Sequence, residues 1–171
     1  KFNEGRTYIA LPELSHSLGQ PNSSATIALW FKKTSGSTPG VLIHSNPVGE
    51  SYPIYGRISM DVNNSGLINY YHRSENETIN ISPSSSTIIQ QGVWYHAAYV
   101  IDNGSLKFYI NGQEETSMAN TYDASVGFED YGRVWEVGDV SSNSAEGHSF
   151  QGNIDDLVVY RRGLSQSEIQ A

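Results

Sequence analysis

The feature that most constrains the fold of this chain is a series of short apolar segments separated by turn-forming residues. Within the segments apolar and polar side chains alternate, and β-branched and aromatic residues are frequent, which is typical of half-buried β-strands. The sequence therefore predicts an all-β protein. The predicted strands cover residues 7–11, 25–32, 41–45, 57–63, 67–72, 94–101, 105–110, 133–137 and 153–160.

Turn residues between these segments indicate antiparallel hairpins. Asp102-Asn103-Gly104-Ser105 separates two alternating runs, and Asn64-Ser65-Gly66 separates two others. Near the end of the chain, Ser165 and Glu168 form a capping-box pattern that predicts one short C-terminal helix. Many short strands joined in this way predict a two-sheet antiparallel β-sandwich.

Composition narrows the classes of partner. At 171 residues the chain fits one domain, and its 10 Lys and Arg against 18 Asp and Glu give a net charge of −8 without a basic cluster, which argues against nucleic acid. Cysteine is absent, which excludes disulfides and thiolate metal sites and favours a bacterial source, and no apolar run is long enough to insert into a membrane. Because the chain starts at Lys1 without a signal peptide, we expect residues 1–171 to be a monomeric domain excised from a larger, multidomain protein.

The closing segment, residues 150–165 followed by Glu168-Ile169, resembles bacterial laminin G-like domains related to the pentraxins. Residues 25–31, residues 94–112 and the opening Phe2-Asn3-Glu4-Gly5 fit the same family in order. The resemblance implies a concanavalin A-like jelly roll, frequent Ca²⁺ sites, and binding of glycans or glycosylated surfaces. The same fold also hosts hydrolases, so fold alone does not fix the function.

Two calcium sites are candidates. Alternation along the last strand places Asp155 on the side of Leu157 and Val159, so we expect its carboxylate to be partly buried and to need either hydrogen bonds or a cation. The family places the opening strand nearby, so a structural Ca²⁺ could join Asp155 and Asn3. In the resembling pentraxins, the loop matching residues 139–149 binds Ca²⁺ together with the loop matching residues 46–50, which makes Asp139 and Glu50 candidate ligands. A solvated polar loop is the alternative there, because this chain lacks the dense acidic run of the pentraxins.

A glycan site is predicted between the loops 46–57 and 139–148. Pyranose rings stack on aromatic planes while their hydroxyl groups take hydrogen bonds. In these loops, Tyr52 and Tyr55 are candidates for stacking on the sugar ring, and Arg57 is a candidate hydrogen-bond donor. The polar and acidic residues of the two loops could hold Ca²⁺ or accept hydrogen bonds from sugar hydroxyl groups. The predicted ligand-binding residues are Tyr52, Tyr55, Arg57, Asp139, Asn143, Glu146 and His148. His96 is assigned to the core. So are five aromatic residues that fall within strand patterns: Trp30, Trp94, Tyr99, Phe108 and Tyr160.

Catalysis is disfavoured by the arrangement of carboxylates. Glycosidases of this fold need two carboxylates about 5 Å apart on one strand face, whereas the pattern at Glu136 and Asp139 puts them on opposite faces. The sequence predicts a non-catalytic, calcium-dependent carbohydrate-binding module, lectin-like and secreted or on a cell surface, for adhesion or substrate targeting. A protein-binding laminin G-type adhesion module and a glycan-degrading enzyme remain the alternatives.

Overall fold

The computed structural model describes residues 9–11, 24–34, 40–46, 57–73, 80–102, 105–119, 134–139 and 149–170. These ranges are almost entirely strands and the turns between them. One short helix, α1 (Gln166–Ile169), follows the last strand. The described strands are β1 (Ile9–Leu11), β2 (Ala25–Lys33), β3 (Gly40–Asn46), β4 (Arg57–Val62), β5 (Ile68–Arg73), β6 (Asn80–Ile81), β7 (Trp94–Asp102), β8 (Ser105–Ile110), β9 (Gln113–Ala119), β10 (Val134–Val137) and β11 (Gly152–Tyr160).

The strands form two sheets in which every neighbouring pair is antiparallel. The six-stranded sheet has the order β1-β10-β3-β4-β5-β6, and the five-stranded sheet has the order β11-β2-β7-β8-β9. This arrangement confirms the predicted two-sheet sandwich. No helix within the described ranges is long and apolar enough to cross a membrane.

Local turn signals are confirmed where the structure describes them. Asp102 pairs with Ser105, so two residues connect β7 to β8. At the turn between β4 and β5, the Asn63 side chain accepts hydrogen bonds from the backbone N–H groups of Ser65 and Leu67. The capping box is present: the Ser165 hydroxyl accepts from the Glu168 backbone, and the Glu168 carboxylate accepts from the Ser165 backbone.

The core lies between the two sheets and is built from alternate residues of each strand. Phe31 of β2 stacks with Tyr95 of β7 at 5.8 Å between ring centroids, and Tyr70 of β5 lies 4.1 Å from Phe108 of β8. A hydrogen bond between Nδ1 of His72 on β5 and the hydroxyl of Tyr99 on β7, at 2.6 Å, crosses the core. Both residues of that pair are buried, so the bond ties the two sheets together.

Three aromatic residues predicted for the core lie on the surface instead. Trp30, Trp94 and Tyr160 are 40%, 39% and 41% exposed, and His96 is only half-buried. Trp30 belongs to a continuous apolar run in which the period of two cannot be read. In the structure, residues 27, 29 and 31 face the core, so Trp30 points outward.

The prediction of a partly buried Asp155 is wrong because β11 contains a β-bulge. The pairing with β2 shifts between Asp155 and Val158, and Asp156 has a φ of 47°, in the left-handed region. The extra residue changes the side of the sheet on which the preceding residues lie. Asp155 is therefore exposed on the outer face, opposite Trp30, whereas Leu157 packs against the core.

Candidate functional site

A row of polar and aromatic side chains crosses the outer face of the six-stranded sheet. Glu136 of β10 lies opposite His44 of β3, His44 lies opposite Ser59 of β4, and Ser59 lies opposite Tyr71 of β5. Side chains directly opposite each other on neighbouring strands have Cβ atoms about 5 Å apart. The four residues, hereafter the polar row, therefore form one continuous strip on a rigid support.

The polar row is unusually well buried for the outer face of a sheet. Glu136 is 2% exposed, His44 and Ser59 are fully buried, and Tyr71 is partly exposed at the end of the row. Glu136, His44 and Tyr71 are each held by further contacts. Buried polar side chains of this kind need partners, and Tyr71 is the member of the row whose side chain reaches solvent.

A second line of polar side chains runs beside the row. Ser59 donates a hydrogen bond to the Asp61 carboxylate at 3.1 Å, and Asp61 lies opposite Asn69 of β5. The Asn69 side-chain oxygen accepts from the Asn63 amide at 2.9 Å and from the Ser84 hydroxyl at 2.8 Å. These bonds fix the side chains at that edge of the face before any ligand arrives.

Of the predicted ligand-binding residues, the structure describes Arg57 and Asp139. Arg57 begins β4 and lies opposite Arg73 in the register, two residues along the strands from Ser59 and Tyr71. Asp139 is 3% exposed and accepts a hydrogen bond from the Ser149 hydroxyl at 2.6 Å. The other predicted residues lie outside the described ranges: Tyr52, Tyr55, Asn143, Glu146 and His148.

The two loops predicted to share a site leave the six-stranded sheet at opposite ends of β3. Residues 47–56 follow Asn46, whose register partner is Val134. Asp139 lies at the other end, where the Gly138 N–H donates to the Leu42 carbonyl and Ser149 bridges to Val41. The polar row lies between these two anchoring points. A shared site would therefore require both loops to extend over the row.

The described residues do not form a calcium site on their own. They contain no group of three or more His, Asp or Glu that could hold a metal ion. Asp155 lies on β11 of the five-stranded sheet, whereas Asp139 follows β10 of the six-stranded sheet, and the remaining candidate ligands, Asn3 and Glu50, lie outside the described ranges. The buried carboxylate of Asp139 is the described group best suited to contribute to such a site.

Sequence reasoning did not identify the polar row as a site. A signal was present in β4, where Ser59 and Asp61 alternate with the apolar Ile58, Met60 and Val62. That signal indicates a polar face but not which residues of other strands lie beside it, because strand order and register depend on contacts distant in sequence.

Comparisons with known proteins agree with this architecture. Residues 3–170 match the family model of the concanavalin A-like lectin/glucanases superfamily. No curated protein sequence matches the chain significantly.

Several solved structures are similar to the chain. A heptameric SAP-like pentraxin from Limulus polyphemus is 19% identical, with a TM-score of 0.69 over 99% of this chain and 78% of that one. The CBM40 domain of the IT-sialidase of Ruminococcus gnavus, bound to α2,3-sialyllactose, is 17% identical, with a TM-score of 0.74 over 96% of this chain and 90% of that one.

Domain 4 of AbnA, an extracellular arabinanase from Geobacillus stearothermophilus in complex with arabinotriose, is 21% identical, with a TM-score of 0.66 over 99% of this chain and 73% of that one. The match to the NanB sialidase of Streptococcus pneumoniae spans only 26% of that longer chain. At these identities the likenesses show a common fold.

Proposed function

The chain belongs to the concanavalin A-like lectin/glucanases superfamily, and from this premise we propose that it is a non-catalytic module that binds a glycan on the outer face of its six-stranded sheet. The observation that carries the proposal is the polar row. It aligns the buried side chains of Glu136, His44 and Ser59 with the partly exposed ring of Tyr71 on four successive strands, β10, β3, β4 and β5. Sugars are recognised by such fixed polar groups next to an aromatic plane.

Two structural neighbours support a saccharide as the ligand class. The CBM40 domain is bound to sialyllactose, and the AbnA domain is in complex with arabinotriose. In this chain the register brings positions 57 and 73, both arginine, together at one end of the polar row.

The spacing of carboxylates supports binding without catalysis. Among the described strand residues of this face, Asp61 and Glu136 carry carboxylates; they are two strands apart and offset by two residues, which places their Cα atoms roughly 12 Å apart. Side chains stand roughly perpendicular to a sheet, so the two carboxyl groups have a similar separation. Glycosidases need carboxyl groups about 5 Å apart for retention or about 6.5–9.5 Å apart for inversion. We infer that the module positions a glycan and leaves hydrolysis to other proteins or domains, in keeping with a secreted or cell-surface role.

Calcium dependence is the second part of the proposal. The implied ligands are the Asp139 carboxylate, which is buried just beyond the end of β10, and loop oxygens such as those of Glu50. A bound Ca²⁺ would fix the loops that flank the polar row and could accept sugar hydroxyl groups as ligands.

The test is calorimetric titration of the module with α2,3-sialyllactose and with arabinotriose, each with added Ca²⁺ and with a chelator. We expect at least one saccharide to bind, and Tyr71→Ala and Glu136→Gln each to weaken its binding about tenfold, equivalent to 1.4 kcal/mol. Trp94→Ala, an exposed aromatic on the other sheet, is the matched control and should bind as the parent does.

Unchanged binding in both row variants would place the site elsewhere, and the absence of binding to either sugar would argue against a glycan module. Equal affinity with Ca²⁺ and with chelator would remove only the calcium part of the proposal.

A further inference from the structure

A pocket of about 450 Å³ opens on the opposite side of the molecule, between the outer face of the five-stranded sheet and helix α1. Its floor includes Ala28, and Trp30 and Tyr160 line it from strands β2 and β11. His96 of β7 and Gln170 at the end of α1 line it as well. The volume falls within the range of small-ligand sites, about 300–1,000 Å³.

Ala28 has the smallest side chain of the strand residues that line the pocket. Along β2 it is followed on the outer face by the much larger Trp30, and in the register it lies opposite Val158 and Ala98. The helix packs Ile169 against the buried cluster that contains both alanines. The pocket therefore lies beside the point where helix α1 packs on the five-stranded sheet.

Hydrogen bonds hold the helix in place, so the pocket is formed in advance. The Thr26 hydroxyl donates to the Arg162 carbonyl at 2.9 Å and accepts from the Leu164 N–H at 2.9 Å. The side-chain amides of Gln166 and Gln170 both donate to the Gly112 carbonyl, at 3.0 and 2.9 Å. A preformed pocket loses less entropy on binding than one that must be ordered by its ligand.

The aromatic rings of the pocket are exposed although the same chain buries most other described aromatic side chains. Trp30 and Tyr160 each leave about two-fifths of their surface in contact with solvent. The Trp30 ring contacts that of His96, with centroids 5.3 Å apart and planes at 49°. The structure thus offers rigid aromatic surfaces around a cavity, which is the arrangement that binds the apolar face of a ring.

The pocket carries no uncompensated charge among its described lining residues. Its one carboxylate, Glu168, forms an ion pair with Arg162 at 2.7 Å and also caps the helix. Burial lowers the pKa of His96 below its ordinary value, so the imidazole is neutral at pH 7 and offers one donor and one acceptor. Both findings favour an uncharged ligand over a cation or an anion.

We propose that this pocket is a second binding site, specific for a neutral sugar ring that stacks on Trp30 or Tyr160 and hydrogen-bonds to His96 and Gln170. This proposal goes beyond the glycan site on the polar row, because it gives the module a second site. That site lies on the five-stranded sheet, is aromatic and carries no uncompensated charge, whereas the polar row contains a carboxylate. The two sites lie on opposite sheets and require separate residues.

The chain offers a matched pair of variants for the test. Trp30 and Trp94 are both exposed tryptophans on the outer face of the same sheet, but only Trp30 lines the pocket, whereas Trp94 packs under the Lys32 ammonium group at 4.9 Å. Titrations with the neutral sugars arabinotriose, lactose and cellotriose use protein that carries Tyr71→Ala. Binding at the polar row is then already weakened, so any binding that is measured reports on the pocket.

We expect at least one neutral sugar to bind, Trp30→Ala to weaken its binding about tenfold or more, and Trp94→Ala to leave it within a factor of about two. Tyr160→Ala, on an edge strand, gives the same readout independently and covers the case in which Trp30→Ala fails to fold. The proposal is overturned if none of the three sugars binds at about 10 mM. It is equally overturned if Trp30→Ala and Trp94→Ala weaken the binding of the sugar to the same extent.

Discussion

Acid should destabilise this protein through His72 in a way that can be calculated from its environment. The imidazole is buried between the sheets, and burial lowers its pKa from an ordinary value of 6.5 to about 4. The unfolded chain therefore binds a proton near pH 6.5, whereas the folded chain does so only near pH 4. The stability that depends on a neutral His72 is therefore fully present above about pH 6.5 and decreases as the pH falls from 6.5 towards 4.

The size of the loss follows from the two pKa values. With 6.5 in the unfolded chain and about 4 in the folded chain, the free energy of unfolding decreases by about 2 kcal/mol between pH 7 and pH 5. By pH 4 the decrease is about 3 kcal/mol. Losses of this size are a large fraction of the stability of a typical domain, about 5–15 kcal/mol.

Urea unfolding at pH 7, 6, 5 and 4 measures the effect, and His72→Gln removes it. Glutamine keeps a polar group near the Tyr99 hydroxyl but does not titrate, so the variant should lack the component due to His72 and retain only the losses due to carboxylates. Tyr99→Phe removes the hydrogen bond and leaves His72 buried, so it should keep most of the acid sensitivity if burial is the cause. Equal losses in the parent and in His72→Gln between pH 7 and pH 5 would refute the reasoning.

Two further predictions concern polar side chains, one of them well hydrogen-bonded and the other without a described partner. The partly exposed Glu115 carboxylate accepts from the backbone and hydroxyl of both Ser86 and Thr87, at 2.6–3.1 Å, so Glu115→Gln should lower the free energy of unfolding by about 1 kcal/mol in urea at pH 7. The Tyr70 hydroxyl is fully buried and has no hydrogen-bond partner among the described residues, so Tyr70→Phe should be neutral or raise the melting temperature. A clear loss of stability in Tyr70→Phe would reveal a partner outside those residues.

Local features of the fold could be predicted from the sequence because they depend on neighbouring residues. The hairpin that joins β7 to β8 and the cap at Ser165 are examples. Strand β9 was not predicted, since Gln113–Ala119 begins with polar residues and lacks an apolar alternation. Its presence follows from pairing with β8 along an edge of the sheet, where fewer side chains need to be buried.

Features that depend on distant contacts could not be predicted. A period of two along β11 predicts an inward Asp155, and a single bulge at Asp156 reverses that assignment. In the same way, the polar row needs the order β10-β3-β4-β5 and its register, neither of which can be read from one strand. The exposure of Trp30 could not be predicted either, because it lies in a continuous apolar run and the sequence does not show which side of the strand faces solvent.

The two proposed sites differ because the two outer faces of the sandwich are covered differently. On the five-stranded sheet, α1 covers part of the face and leaves an aromatic pocket beside it; on the six-stranded sheet, polar side chains fill the centre of the face.

Packed sheets lie about 10 Å apart and side chains extend beyond each, so the sites are at least about 20 Å apart across the molecule. A trisaccharide cannot occupy both at once. Binding should therefore show two independent sites without cooperativity, and any gain in avidity must come from separate glycan chains held by one module.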